Sequence, residues 1–139
     1  MSAHRGVALF VSGVALTTVV VGCGDSKPAV CSDIDALKST AQSLRDVQLQ
    51  AGALTEIRDK LTALGTQFQT FKKDAKDEYA DEVSKVQSKL DVLSTSATTA
   101  KQTPSLVNLS VVRTAAKDVA EAVKSLGSSV SGTCRAGRD

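Results

Sequence analysis

An all-α chain folded as an up-down-up-down four-helix bundle is what this sequence predicts. Three observations carry that expectation. Apolar residues recur in alternating steps of three and four along four successive segments, the spacing of one buried helix face. No run alternates apolar and polar residues long enough for a strand; only Val47, Leu49 and Ala51 do so, as a short extended link. Cys31 and Cys134 flank the four segments, and a bridge between them needs their Cα atoms within about 7 Å. With antiparallel neighbours, an even helix count brings the two ends together. An odd count parts them by a helix length, about 1.5 Å per residue.

The first segment places Ile34, Leu37, Ala41 and Leu44 on one face and is the shortest of the four. Ser32, with Asp35 three residues later, fits a capping box at its start. The second carries Leu54, Ile57, Leu61, Leu64, Phe68, Phe71 and Ala75, an unbroken heptad seam. Gly65 lies inside it, where glycine costs about 1 kcal/mol against alanine. It reads as a tolerated surface glycine or as a kink or close contact. The third segment carries Tyr79, Val83, Val86, Leu90, Leu93, Ala97 and Ala100. The fourth carries Leu109, Val112, Ala116, Val119, Val123, Leu126 and Val130, with Thr103 as N-cap and Pro104 in the first turn.

The boundary between the second and third segments has no Gly or Pro. Residues 71–83 read FKKDAKDEYADEV and keep the seam in register. One continuous helix over 52–100 in an extended coil is therefore the alternative. Bridge parity instead places a turn near Asp77 to Asp81, with Asp81 as its cap.

The 139 residues suit one domain. With 17 Lys and Arg against 15 Asp and Glu, the chain as a whole has no basic excess of the kind nucleic acid requires. Balanced charge and few Gly and Pro also argue against disorder.

Residues 1–22 read differently from the rest. Arg5, beside His4, precedes a stretch from Gly6 to Gly22 without an ionisable side chain, the pattern of a secretory signal. A retained N-terminal anchor is the other reading of such a stretch. Its last residues and the next, Val20-Val21-Gly22-Cys23, resemble the lipobox of bacterial lipoproteins, with Val20 where Leu is common. The resemblance covers residues 1 to about 25. It implies cleavage between Gly22 and Cys23, a diacylglycerol thioether on Cys23 and acylation of the new amino group, with palmitate-type chains. Two or three chains anchor a protein stably, whereas one does not. The implied location is the extracytoplasmic face of the cell membrane. The domain plan is then a signal peptide at 1–22, a lipidated tether at 23–30, a helical bundle domain at 31–134 and a C-terminal tail at 135–139.

Export leads to an oxidising compartment, where the even pair Cys31 and Cys134 reads as a disulfide. It would close a loop of about 100 residues, worth on the order of 4.7 kcal/mol in the chain-entropy description. Two free thiols are the alternative. A metal site is disfavoured, because the mature chain has no His to complete it.

Nothing in the mature chain points to catalysis. His4, the one histidine, departs with the signal, which removes the commonest general base. No Gly-rich phosphate loop and no GxSxG serine occur. The chain is expected to be no enzyme and to hold no cofactor and no metal. Asp74, Asp77, Glu78, Asp81 and Glu82 could bind a hard cation, but Lys72, Lys73, Lys76 and Lys85 interleave with them and suggest a solvated face. Glu56–Lys60, Asp81–Lys85 and Lys117–Glu121 have the spacing of helix ion pairs.

The short tether, reaching at most about 25 Å, would turn one end of the bundle to the membrane. Lys27, Lys72, Lys73, Lys76, Arg135 and Arg138 belong to that end, as contacts for anionic headgroups or as ordinary surface charge. Val47, Leu49, Thr98, Thr99 and Lys101 belong to the far end, where a partner would arrive, unless Val47 and Leu49 plug the open end. The Ala/Ser/Thr-rich heptads with flanking cysteines are similar in general character to small uncharacterised helical lipoproteins of actinobacteria. That likeness has no diagnostic motif and implies no activity. The expected function is a non-catalytic interaction module of the cell envelope, with an envelope protein as partner. An apolar small-molecule-binding lipoprotein is the alternative.

Overall fold

Pro28 opens the first helix. Its backbone (φ −50°, ψ 142°) is extended, and its carbonyl accepts the Cys31 N–H at 2.9 Å. α1 then runs Ala29–Arg45. This is from a computed structural model that describes residues 28–50 and 52–136. The signal segment, the Gly22–Cys23 site, Lys27 and Arg138 lie outside the described residues. Because α1 starts at Ala29, Ser32 and Asp35 sit within the helix and form no capping box. Val30, Cys31, Ile34, Leu37, Ala41 and Leu44 are its buried face.

The chain leaves α1 through Asp46, whose N–H donates to Gln42 O at 3.0 Å. Gly52 (φ 85°) turns it into α2, in the left-handed region where glycine has no Cβ to clash. α2 spans Ala53–Ala75 and buries Ala53, Ile57, Leu64, Phe68, Phe71 and Ala75. A Cβ built on Gly65 would meet nothing within 4 Å, so no close contact requires glycine there.

α2 stops at Lys76, a non-glycine residue at φ 54°. This break rules out one helix over 52–100. α3 begins at Ala80 and runs to Gln102. The turn therefore occupies Lys76 to Tyr79, slightly before the expected place. Asp81 is not the cap: Tyr79 holds the N-cap position, and Asp81 and Glu82 lie in the first helical turn. There their charge suits the positive end of the helix dipole. The boundary moves because Tyr79 is buried, 7% exposed, and fixes where the chain re-enters the core.

α4 spans Leu106–Ala136. Its cap also differs from expectation. The Ser105 hydroxyl, not that of Thr103, accepts the Asn108 N–H at 3.0 Å, while the Asn108 side chain donates to Thr103 O at 2.6 Å. Pro104 thus precedes the helix, outside its first turn.

The four helices form a closed ring. α1 packs on α2 and α4, α3 packs on α2 and α4, and the α2–α3 pair approaches least closely. The diagonal pairs do not meet at backbone level. This is the four-helix bundle, and the Cys31–Cys134 bridge joins its ends with a Cα–Cα distance of 5.7 Å. α1, at 17 residues, spans about 26 Å, and α2, at 23, about 35 Å. The 46–52 link covers the shortfall, and Val47 packs against the core from it. The core is aliphatic, with Phe68 and Phe71 as its largest fully buried side chains and no buried polar residue among the described residues. No described helix is long and apolar enough to cross a membrane.

Candidate functional site

No polar residue is buried among the described residues, and the residues singled out by the sequence stand at the ends of the bundle. The bundle has two unlike ends. The first gathers the start of α1, the α2–α3 turn and the end of α4. Here the Phe71 and Tyr79 rings pack tilted, 6.2 Å between centroids. The Tyr79 hydroxyl and Thr133 Oγ1 share a hydrogen bond of 2.6 Å that ties the turn to α4. The disulfide closes the same end.

Four of the six basic residues expected at this end are there. Lys72 and Lys73 occupy the last turn of α2, Lys76 the turn itself, and Arg135 the last turn of α4. Lys72 Nζ lies over the Phe68 ring, 5.7 Å from its centroid, within cation–π reach. The other three side chains are exposed.

Asp33 of α1 meets Asp74 of α2 nearby. Burial, then a hydrogen bond with the Asp74 carboxyl and that group's charge, raise the Asp33 pKa above its ordinary value. The remaining members of the acidic cluster, Asp77, Glu78, Asp81 and Glu82, spread over the turn. Glu82 is partly buried and accepts a hydrogen bond from Ser129 at 3.2 Å. No group of three metal-ligating side chains comes together among the described residues.

The second end gathers the 46–52 link, the end of α3 and the start of α4. Val47 is half-buried against the core, so it helps to close the bundle, whereas Leu49 is 36% exposed. Thr98 and Lys101 line an open furrow between α2 and α3 together with Arg58 and Gln102, and Thr99 is exposed. The structure adds three residues that the periodicity did not single out. Leu106 is 87% exposed, Val107 72% and Val111 49%. Val107 and Val111 stand one turn apart on one face of α4. They lie outside the seam that begins at Leu109, and three apolar residues off a seam were the available sign.

Ion pairs add little. Glu56–Lys60 closes at 3.7 Å, and Lys89 of α3 reaches Asp118 of α4 at 3.8 Å. Asp81–Lys85 and Lys117–Glu121 have the right spacing but do not pair among the described residues. At exposed sites the helix backbone needs no such support, and holding two long side chains together costs as much entropy as it gains.

Neither a protein-family model, nor a curated protein, nor a solved structure matches this chain.

Proposed function

We propose that the protein is a lipid-anchored, extracytoplasmic interaction module of the cell envelope, with no catalytic role of its own. The observation that carries the reading is the exposed apolar group Leu106, Val107 and Val111, at the end of the bundle opposite the Cys31–Cys134 bridge. Apolar side chains this exposed, next to one another, are the kind of surface that protein partners cover. The tether enters α1 at Pro28, on the bridge end. An anchor on Cys23 then presents the apolar end outward, and Lys72, Lys73, Lys76 and Arg135 toward anionic headgroups, each worth about 1 kcal/mol close to such a surface.

A protein partner is favoured over an apolar small molecule by the packing of the interior. Leu37, Leu64, Phe71, Leu93 and Leu126 are all fully buried and fill the space between the helices. The hollows lined by Arg58 and Lys101, or by Lys72 and Asp91, are open furrows with charged rims, which suit no apolar ligand.

Two experiments test the reading. A photo-crosslinking side chain at Val107 in living cells, followed by mass spectrometry, is expected to capture one envelope protein repeatedly. The same probe at exposed Lys85 is expected to capture none. Equal, scattered capture from both positions overturns the partner surface. Growth with an inhibitor of lipoprotein signal peptidase is expected to accumulate a larger precursor, and an unchanged size overturns the anchor.

A further inference from the structure

The furrow between α1 and α4 concentrates charge that the rest of the surface disperses. Lys38 and Arg45 of α1, and Lys117, Lys124 and Arg135 of α4, line it, with Glu121 the one carboxylate among them. The furrow thus takes five of the chain's 17 basic side chains and one of its 15 acidic ones. Two further carboxylates stand at its margins. Asp46 holds Arg45 Nε at 3.1 Å, and Asp35 lies beside the disulfide at the foot. The cations still outnumber the anions.

Helix periodicity sets these groups in line. On α4, positions 117, 121, 124, 128, 131 and 135 recur in steps of three and four, which makes one stripe. Lys38, Gln42 and Arg45 form the matching stripe on α1. From Lys117 to Arg135 the rise is about 27 Å. The floor between the stripes is lowered at Gly127, which has no side chain. A Cβ there would stand 3.1 Å from the Lys38 Cδ, so glycine gives the Lys38 stem its passage across the floor.

The direction and lining of the furrow identify its ligand. It runs along the helix axes, away from the bridge end. A flat bilayer at that end would reach Arg135, while Lys117 would stand several Debye lengths of about 8 Å away. A nucleic-acid strand would need aromatic faces for its bases, and the described aromatics Phe68, Phe71 and Tyr79 are all buried. An acidic peptide helix would need apolar pockets, and Ala120 and Gly127 supply none. What fits is an extended, flexible chain that offers only anionic groups and hydroxyls. We propose that the α1–α4 furrow binds a strand of a linear anionic glycopolymer. Ser128 and Ser131 on the same stripe donate their hydroxyl protons to Lys124 O and Ser128 O, and their oxygens keep lone pairs to accept from the sugar or polyol units between its charges.

The test uses the full chain in non-ionic detergent, titrated with fluorescent dextran sulfate. Binding is expected at about 0.05 M salt and to weaken steeply by about 0.2 M, because the contacts are exposed charges. The triple variant Lys38→Gln, Lys117→Gln, Lys124→Gln is expected to bind about tenfold more weakly, as three exposed charge contacts of modest strength add up. The control Lys60→Gln, Lys85→Gln, Lys89→Gln removes the same charge from α2 and α3 and is expected to change affinity less than about twofold. Lys117→Glu alone, at an exposed position, is expected to cost about threefold. Helix content by circular dichroism is expected to be unchanged in all three. Equal weakening by the two triple variants overturns the proposal, as does absence of binding at low salt. Tighter binding to single-stranded DNA than to dextran sulfate overturns it too. None of these readings involves Val107, so the outcome is separate from that of the partner surface.

Discussion

The two ends of this bundle are built by different means. The bridge end is held by covalent and directional contacts: the Cys31–Cys134 bond, the Phe71–Tyr79 ring pair and the Tyr79–Thr133 hydrogen bond. The far end has the half-buried Val47, a single hydroxyl cap at Ser105 and apolar side chains left in solvent. The covalent tie and the directional contacts thus sit at one end, and the exposed Leu106, Val107 and Val111 at the other. The lesson is that a small bundle with few aromatics can place both of its buried tilted rings at one end and leave the other end adaptable.

The sharpest way to break this contrast is to remove the bridge. Cys31→Ser with Cys134→Ser is expected to lower unfolding free energy by about 4.7 kcal/mol, the chain entropy of a loop this long. Hydrogen exchange should speed first in the start of α1 and the end of α4. Loss spread evenly over all four helices would refute the idea of one stapled end.

Next in size is a paired truncation. Phe71→Ala at the bridge end is expected to cost about 3–5 kcal/mol, since the ring is fully buried. Leu49→Ala at the far end is expected to cost less than about 1 kcal/mol, since that side chain is 36% exposed. Urea unfolding of the two variants compares them directly, and similar midpoints would erase the contrast.

A smaller effect is expected from Tyr79→Phe. It keeps the ring pair and deletes the hydroxyl, at a cost of about 1 kcal/mol read by thermal unfolding. A loss as large as that of Phe71→Ala would mean that the hydroxyl, not the ring, fixes the turn.

The smallest effect concerns Asp33. Its folded pKa is raised, so its favourable contribution is complete below the unfolded pKa and is lost as pH rises through the folded one. Asp33→Asn is neutral at every pH. It is therefore expected to raise the melting temperature by about 1–2 °C at pH 7 and to change nothing near pH 3. Stabilisation that persists at about pH 3 would assign the effect to packing instead.

Much of the fold was legible in the residues, and the reasons are local. The steps of three and four from Ile34 to Val130 mark the buried faces, because burial on a helix follows its 3.6-residue turn. The even helix count followed from Cys31 and Cys134, because a bond of fixed reach permits one parity. The caps were misread at Ser32, Asp81 and Thr103. Each has the right side chain for the task, but Pro28 opens α1 earlier, the buried Tyr79 takes the N-cap of α3, and the Ser105 hydroxyl caps α4. The candidate surface was less legible. Leu106 and Val107 are marked only by lying off the seam, and nothing local says that no helix covers them.

What the sequence by itself determined is the periodic part: the helical segments, their apolar faces and the pair of cysteines that flank them. Only the tertiary structure decided which off-seam residues remain bare and which charges meet. Lys38 and Lys124 are far apart in the chain, and they share a furrow because α1 and α4 close the ring. Burial along one helix is a property of spacing, which a sequence records directly. Adjacency between helices depends on how the faces assemble, and that is settled only when they pack.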